Sequence, residues 1–333
     1  MDTDKRGTEI TQREEAVQAE QAEELLRGRP YEVLRALRGA LRELWGDKAG
    51  LFGLLVVLGI VFVAVFAPLL APHDPAQQDL SKSLLPPFWY GRGSLTYALG
   101  TDSLGRDVLS RIIYGTRISM FVAVAVVAVA GVVGTVLGLI SGYRGGRTDS
   151  IIMGIVDTQI AFPGLLLALI ILAVINPSAN TVIIVLAING WMVYARMTRG
   201  VVLSVRQTPY VEAAEMVGCK PKRVIFRHIL PNLTSPLLTL GVLEFARIIL
   251  AEAALSFLGL GIQPPQVSWG LMVAQGRDYV FSAWWLVTFP GLAISFTVLG
   301  VNLLASWLRV AADPQEREKR FAASISGTAG SVA

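Results

Sequence analysis

The sequence predicts an all-α integral membrane protein that crosses the bilayer six times. Of its 333 residues, 53% are hydrophobic and only 16% are charged, whereas a soluble domain carries about a quarter charged residues. Six stretches are apolar over the roughly 20 residues that a helix needs to cross a bilayer. Lysine and arginine are also distributed unevenly among the segments that join these stretches.

Charged or turn-forming residues separate the six predicted spans. The uncharged segment 158–195 belongs to two of them, because the Asn-Pro-Ser-Ala-Asn sequence at 176–180 predicts a tight turn within it. The predicted spans are 51–70, 118–143, 151–175, 181–202, 233–258 and 284–308.

Charge predicts the orientation of these spans. An even number of spans leaves both termini on one side of the membrane. If that side is the cytoplasm, 22 lysines and arginines lie in cytoplasmic segments and 6 lie in outer segments. Cytoplasmic loops characteristically carry this excess of positive charge. We therefore expect both termini in the cytoplasm.

The chain divides into four regions on this topology. The N-terminal tail includes leucines at helical spacing with arginines between them, which suits either a helix on the membrane surface or a short helix packed on the protein. The regions are a cytoplasmic tail over 1–48 with that possible interfacial helix at 31–45, a first span with an outer loop over 49–117, a five-span core over 118–310 that contains a cytoplasmic loop at 208–231, and a cytoplasmic tail over 311–333.

Composition argues against several kinds of chemistry. A single cysteine, Cys219, excludes an intrachain disulfide, and His73 and His228 are too far apart in sequence to suggest a metal site. None of the six lysines follows a glycine, so the chain lacks the Gly-Lys pair of the common ATP-binding loop. The net charge of +4 is scattered. We expect no cofactor or metal on this chain, no catalytic residue, and no nucleic-acid partner.

The cytoplasmic loop predicts a helix–turn–helix. Thr208 and Pro209 are typical of a helix start, with a capping hydroxyl followed by proline in the first turn. Gly218 predicts the end of this helix, Pro221 the start of a second, and Pro231 its end. Geometry alone leaves two interpretations open: a plain connecting hairpin, or a lever that passes a push from a soluble partner into the spans.

The residues of this loop resemble a family motif. Glu-Ala-Ala at 212–214, Gly218, and His-Ile-Leu-Pro at 228–231 resemble the EAA loop of membrane subunits of ATP-binding-cassette importers. Histidine before Ile-Leu-Pro is similar to the peptide and nickel branch. The resemblance implies a type I importer permease fold and a loop that docks onto an ATPase subunit. The implied coupling residues are Glu212, Ala213, Ala214, Glu215, Gly218, His228 and Pro231.

The outer segments narrow the resemblance to the DppC/OppC type of permease. APLLAPHDP at 67–75, LGTDSLGRDVLSR at 99–111 and LSFLGLG at 255–261 resemble stretches of that subunit type. The likeness runs from about residue 45 to 314. From its own residues, the segment 101–117 predicts an amphipathic outer helix that continues into the second span, with its Asp and Arg side chains paired locally.

The resemblance implies a function without bond chemistry on this chain. It implies a channel-forming permease subunit of an ATP-driven importer in the bacterial inner membrane, with peptides as cargo and nickel, glutathione or oligosaccharide as alternatives. The implied partners are a second permease, two ATPases that use ATP and Mg²⁺, and an extracytoplasmic binding protein. An ion-coupled secondary transporter would need inverted repeats and midplane ion sites, and the sequence shows no internal repeat.

Ionisable residues mark the fifth predicted span. Glu244, Arg247 and Glu252 lie within it, and an ionisable group at membrane depth normally faces a cavity or a partner. Glu244 and Arg247 are three residues apart and are expected to pair on one helix face. Glu252, with Arg247, either lines a polar passage between two permease subunits or belongs to a structural pair at their interface. The sequence leaves both interpretations open.

Overall fold

A computed structural model describes residues 44–312 of the chain. Most of the predicted surface helix at 31–45 and of the predicted tails at 1–48 and 311–333 lies outside the described residues. Over 44–312 the protein consists of helices and turns, without a β-strand. Its α-helices are α1 Lys48–Leu70, α2 Val108–Arg144, α3 Gly146–Ile160, α4 Gly164–Val174, α5 Ala179–Arg206, α6 Pro209–Met216, α7 Pro221–Val224, α8 Leu230–Phe257, α9 Trp269–Gly276 and α10 Trp285–Ala312.

Contacts divide the chain into two compact units, Met1–Leu51 and Phe52–Ala333. The described part of the first unit is 44–51, where the Asp47 carboxylate accepts hydrogen bonds from the backbone N–H groups of Ala49 and Gly50 at 3.1 and 3.0 Å. These bonds satisfy donors that the first turn of a helix leaves free. They fix the start of α1.

Four helices, α1, α2, α5 and α10, are long and apolar enough to cross a membrane, and α3 with α4 qualifies as a fifth span if the bent pair is counted as one. The remaining predicted span, 233–258, lies in α8, which is 28 residues long but carries Glu244, Arg247 and Glu252. The described residues therefore confirm an all-α membrane fold, and the count of six spans stays a prediction.

Large apolar side chains face outward from the long helices. A soluble monomer rarely exposes contiguous apolar surface of this extent, so this surface indicates contact with lipid or with another membrane subunit. On α1 the exposed side chains include Phe52, Leu55, Leu58, Phe62 and Leu69.

The third predicted span, 151–175, is broken near its middle. The axes of α3 and α4 differ by 86°. Pro163 precedes α4 in an extended conformation, because its ring and its missing N–H disfavour a continuous helix through this position.

The contact between α2 and α5 depends on three glycines spaced four residues apart. A Cβ atom at Gly134 would lie 2.2 Å from the carbonyl oxygen of Trp191, and one at Gly138 would lie 2.5 Å from that of Ala195. A Cβ at Gly142 would lie 2.8 Å from the Cβ of Val202. Small residues at this spacing let helices approach closely in lipid, and here they bring the backbones of α2 and α5 together.

The outer segment before α2 differs from the expected helix over 101–117. The helix begins at Val108, capped by the Asp107 carboxylate, which accepts from the Ser110 N–H at 3.0 Å. Before it, the Asp102 carboxylate accepts from the backbone N–H of Arg106 and pairs with its side chain at 2.7 Å. These bonds hold a turn that includes Gly105 at φ +73°. Local Asp–Arg pairing was predicted correctly, but the same side chains stabilise a turn instead of a helix.

Replacement of Gly138 by alanine should weaken the α2–α5 contact, because the added methyl group overlaps the facing backbone. We expect a loss of about 1–3 kcal/mol of stability and a lower unfolding midpoint in detergent. Gly200→Ala on α5 is the matched control, since a Cβ there has no neighbour within 4 Å. Equal midpoints for the two variants would contradict the close-packing role.

Candidate functional site

The predicted hairpin is present between α5 and α8. Pro209 occupies the first turn of α6, where a missing N–H costs nothing. Thr208 stands at the cap position, but its hydroxyl donates to the carbonyl oxygen of Val205 at 2.6 Å and does not cap α6. The start of the helix was therefore predicted correctly, and the capping bond was not.

Gly218 ends α6 as predicted. Its φ of +82° lies in the left-handed region, which glycine adopts without strain. The N–H of Gly218 donates to the carbonyl of Glu215 at 3.0 Å, and the N–H of Cys219 donates to that of Ala214 at 3.1 Å. This pair of bonds is the Schellman motif, and it satisfies carbonyls that the helix end leaves free.

Pro231 does not end the second helix, contrary to the prediction. A π-helical turn, Ile225–Ile229, follows α7, and Pro231 then lies in the first turn of α8. The N–H of Leu230 donates to the carbonyl of Ile225, five residues back. Proline has no backbone N–H to donate. The wider π-helical turn changes the hydrogen-bond pattern immediately before Pro231, so the chain stays helical there. The helical path therefore runs from the hairpin directly into α8.

Apolar side chains fix the hairpin against the ends of the long helices. Val211 of α6, Val224 of α7 and Ile229 of the π-helical turn are fully buried. They pack in one cluster with Val202 of α5 and Leu233 of α8. Burial of this kind contributes roughly 1.5–3 kcal/mol for each large aliphatic side chain, so the hairpin is held to both flanking helices.

Arg206 makes a polar connection between the hairpin and the ends of α2 and α5. Its Nε lies 3.5 Å from a carboxylate oxygen of Glu215 on α6. Its Nη1 donates to the carbonyl oxygen of Tyr143 at 2.8 Å, and the guanidinium lies 5.1 Å from the centre of the Tyr143 ring. Arg206 thus links its own helix, α5, to both α2 and α6.

Tyr210 and Asn232 make a second connection, from α6 to the start of α8. The Asn232 Nδ2 donates to the Tyr210 hydroxyl at 3.2 Å and to the carbonyl oxygen of His228 at 2.6 Å. The rings of Tyr210 and His228 are 6.1 Å apart. His228 therefore lies where α6 contacts the helical path into the membrane region.

The tip of the hairpin is apolar and exposed. Met216 and Val217 are 86% and 85% exposed, and Glu212 and Ala213 of α6 are exposed as well. Ala214, between them and the tip, is half-buried. A small, convex surface that combines apolar tips with a carboxylate fits the groove of a partner better than it fits bulk water.

The ionisable residues of α8 occupy two separate places. Arg247 lies 3.3 Å, through Nε, from the Glu244 carboxylate, as the spacing predicted. Glu252 is 2% exposed and accepts hydrogen bonds from the hydroxyls of Ser256 at 2.7 Å and Ser268 at 2.8 Å. Ser268 in turn caps α9. This geometry favours the structural interpretation for Glu252, because the chain encloses its carboxylate.

A cavity of about 440 Å³ lies at the break between α3 and α4. Arg247 of α8 and Asn189 of α5 contribute its polar groups. Most of its wall is apolar, formed by Ile160, Phe162, Leu165, Ala168, Leu186, Met192, Val193, Ile248 and Ala251. Within residues 44–312 no group of His, Cys, Asp or Glu side chains is arranged to hold a metal ion.

The structure brings together residues that the sequence did not connect. Arg206 and Tyr143 join the predicted hairpin residues, although 63 positions separate them, and Asn189 joins Arg247 at the cavity. Periodicity carries no signal for such contacts. Two features of the sequence could have indicated these contacts: Asn189 lies within an apolar span, and Arg206 lies at the end of one.

Comparison with known proteins agrees with this architecture. Residues 134–318 match the family described as binding-protein-dependent transport system inner membrane component, and residues 36–87 match the N-terminal TM domain of oligopeptide transport permease C. The first match contains the complete hairpin, α8 and the cavity.

Individual relatives align over most of their length. The chain is 42% identical to the di/tripeptide transport system permease protein DppC of Pseudomonas aeruginosa over 279 residues, 83% of this chain and 92% of the relative. It is 43% identical to the dipeptide transport system permease protein DppC of Escherichia coli over 282 residues, 84% and 94%. It is 39% identical to the dipeptide transport system permease protein DppC of Haemophilus influenzae, over 84% of this chain and 96% of the relative.

Substitution of Arg206 by glutamine should loosen the hairpin while leaving its buried apolar cluster intact. We expect amides of 209–219 to exchange with deuterium several-fold faster, since opening of this segment loses a polar connection worth about 1 kcal/mol. Arg223→Gln, at an exposed position of α7, is the control. Unchanged exchange in the Arg206 variant would show that the apolar cluster alone fixes the hairpin.

Proposed function

This chain belongs to the family of binding-protein-dependent transport system inner membrane components, and on that premise we propose that it carries di- and oligopeptides inward as half of a translocation passage. It is a multi-pass membrane permease of the DppC/OppC type. The peptide cargo is inferred from relatives named for dipeptide and di/tripeptide transport. Nickel, glutathione or oligosaccharide would use the same machinery and is the alternative.

The observation that carries this function is the hairpin that is held firmly at its base and exposed at its tip. Its tip offers Ala213, Met216 and Val217 to a partner. Its base contacts α2 and α5 through Arg206 and contacts α8 through Tyr210. A force applied at the tip therefore reaches three membrane helices without passing through a flexible loop.

The proposed partner at this tip is an ATPase subunit. The sequence has no Gly-Lys pair of the common ATP-binding loop, which supports a separate polypeptide as the source of the energy of transport. We assign docking to Glu212, Ala213, Ala214 and Gly218, with Glu215, His228 and Pro231 supporting the hairpin from behind. Two such ATPases use ATP and Mg²⁺ and move the hairpins of two permeases.

The complete importer has further subunits in this proposal. A second homologous permease supplies the other half of the passage, and an extracytoplasmic binding protein delivers the cargo. The hairpin and both termini lie on the cytoplasmic side, which agrees with the excess of lysine and arginine in those segments. Arg247, with Glu244 beside it, faces the passage, because its guanidinium is half-exposed in the single chain.

Placement of a long cation at the hairpin should separate the ATPases from the membrane subunits. In the assembled importer, Ala213→Arg should reduce co-purification of the ATPase pair and lower dipeptide uptake by about tenfold or more, equivalent to about 1.4 kcal/mol of docking energy. Ala213→Ser, which adds one small group, should leave both measurements near the wild-type values.

The same experiment tests the orientation, since an ATPase reaches the hairpin only from the cytoplasm. Uptake by the isolated chain in liposomes without an ATPase would overturn the proposal. So would full uptake by the Ala213→Arg variant.

A further inference from the structure

The cavity at the break between α3 and α4 combines a cation with an unsatisfied acceptor. It has a volume of about 440 Å³, within the range of small-molecule sites. The 86° bend creates it, because α4 turns away from the line of α3 and leaves a space beside α5 and α8. The two polar groups of the cavity lie on two different helices, α5 and α8, and the same helices also contribute apolar residues to its wall.

Arg247 is the cation of this cavity. Its side chain is 51% exposed, although it lies in α8 among apolar residues. The contact with Glu244 runs through Nε, which leaves the two terminal amino groups of the guanidinium for a ligand. A guanidinium is a donor pair whose geometry matches a carboxylate. An exposed arginine at membrane depth is costly unless it faces water or an anion.

Glu244 holds Arg247 from the opposite side. Its side chain is only 9% exposed, and its Oε2 atom, which faces Arg247, has no hydrogen-bond partner among the described residues. Glu244 therefore positions the arginine and is too enclosed to contact a ligand itself.

Asn189 is the acceptor. It is 6% exposed, and its Nδ2 donates to the carbonyl oxygen of Val185 at 3.0 Å. This bond fixes the orientation of the amide, so Oδ1 is the atom left without a partner. Gly164 at the bend lies close to this atom, since a Cβ there would be 3.4 Å from Oδ1. A buried acceptor without a donor loses free energy that a ligand N–H restores.

We propose that this cavity binds the C-terminal residue of the transported peptide, with its carboxylate on Arg247 and a peptide N–H on Asn189. The apolar wall accepts the side chain of that residue. This proposal rests on the proposed function and adds a recognition step within the passage: the permease requires a free carboxylate, while its apolar wall tolerates many side chains.

Charge-selective labelling tests the site in the complete importer held in nanodiscs. Ala251 lines the cavity one helical turn from Arg247. In a Cys219→Ala background, we would introduce Ala251→Cys and compare anionic with cationic methanethiosulfonates of similar size. An exposed cysteine at Asn180 corrects for the intrinsic reactivity of the two reagents.

The proposal predicts a preference for the anionic reagent of roughly fivefold, the effect of one nearby charge in a hydrated site. Arg247→Gln should abolish this preference and Arg247→Lys should retain it. Glu244→Gln removes the negative charge beside the guanidinium, so it should increase the preference for the anionic reagent. Equal rates for the two reagents in the parent, or a preference that persists in Arg247→Gln, would overturn the proposal.

Protection by peptides tests the assignment to a carboxylate. Millimolar Ala-Ala should slow the labelling of Ala251→Cys, and Ala-Ala amide should not. Asn189→Leu should weaken the protection by Ala-Ala without changing the charge preference. Equal protection by both peptides would overturn the carboxylate assignment. If these tests fail while uptake and ATPase docking are normal, the site is wrong and the proposed function stands; loss of ATPase docking and uptake in the parent importer would refute the function instead.

Discussion

The close contact between α2 and α5 builds the pair of helices to which the hairpin is joined. Three glycines let the two backbones meet, and polar bonds at one end then join further elements to the pair. Arg199 of α5 contacts the Asp149 carboxylate of α3 with two bonds of 2.6 Å. Arg206 joins α5 to Tyr143 of α2 and to the hairpin. If α2 and α5 stood further apart, Arg206 would not reach the carbonyl oxygen of Tyr143.

The ionisable groups of α8 lie in two different environments. Glu252 is enclosed by two serine hydroxyls and links α8 to the cap of α9. Arg247 keeps half of its surface open beside a cavity. A charge is costly at membrane depth unless it is paired or faces water. Hydrogen bonds within the chain offset this cost for Glu252, whereas the half-exposed Arg247 matches the carboxylate site proposed above.

Most of the architecture followed from local properties of the sequence. Apolar stretches predicted the long helices, and Pro209 and Gly218 predicted the bounds of α6. The predictions failed where contacts with other residues determine the local backbone conformation. Pro231 is accommodated by a π-helical turn, and the Asp102 carboxylate favours a turn over the expected helix. The partners of Arg206 and Asn189 come from distant segments, which no local pattern specifies.

The central claim is that the hairpin and the α2–α5 pair move as one body when the ATPases act. Pulsed electron paramagnetic resonance measures this directly, with spin labels at Val217 on the hairpin tip and Asn180 at the far end of α5, in an assembled importer lacking Cys219. A rigid connection predicts the same distance distribution between the two labels with and without bound ATP, in complexes competent for uptake. A shift of that distribution on ATP binding would show that the hairpin moves independently of α5 and would contradict the claim.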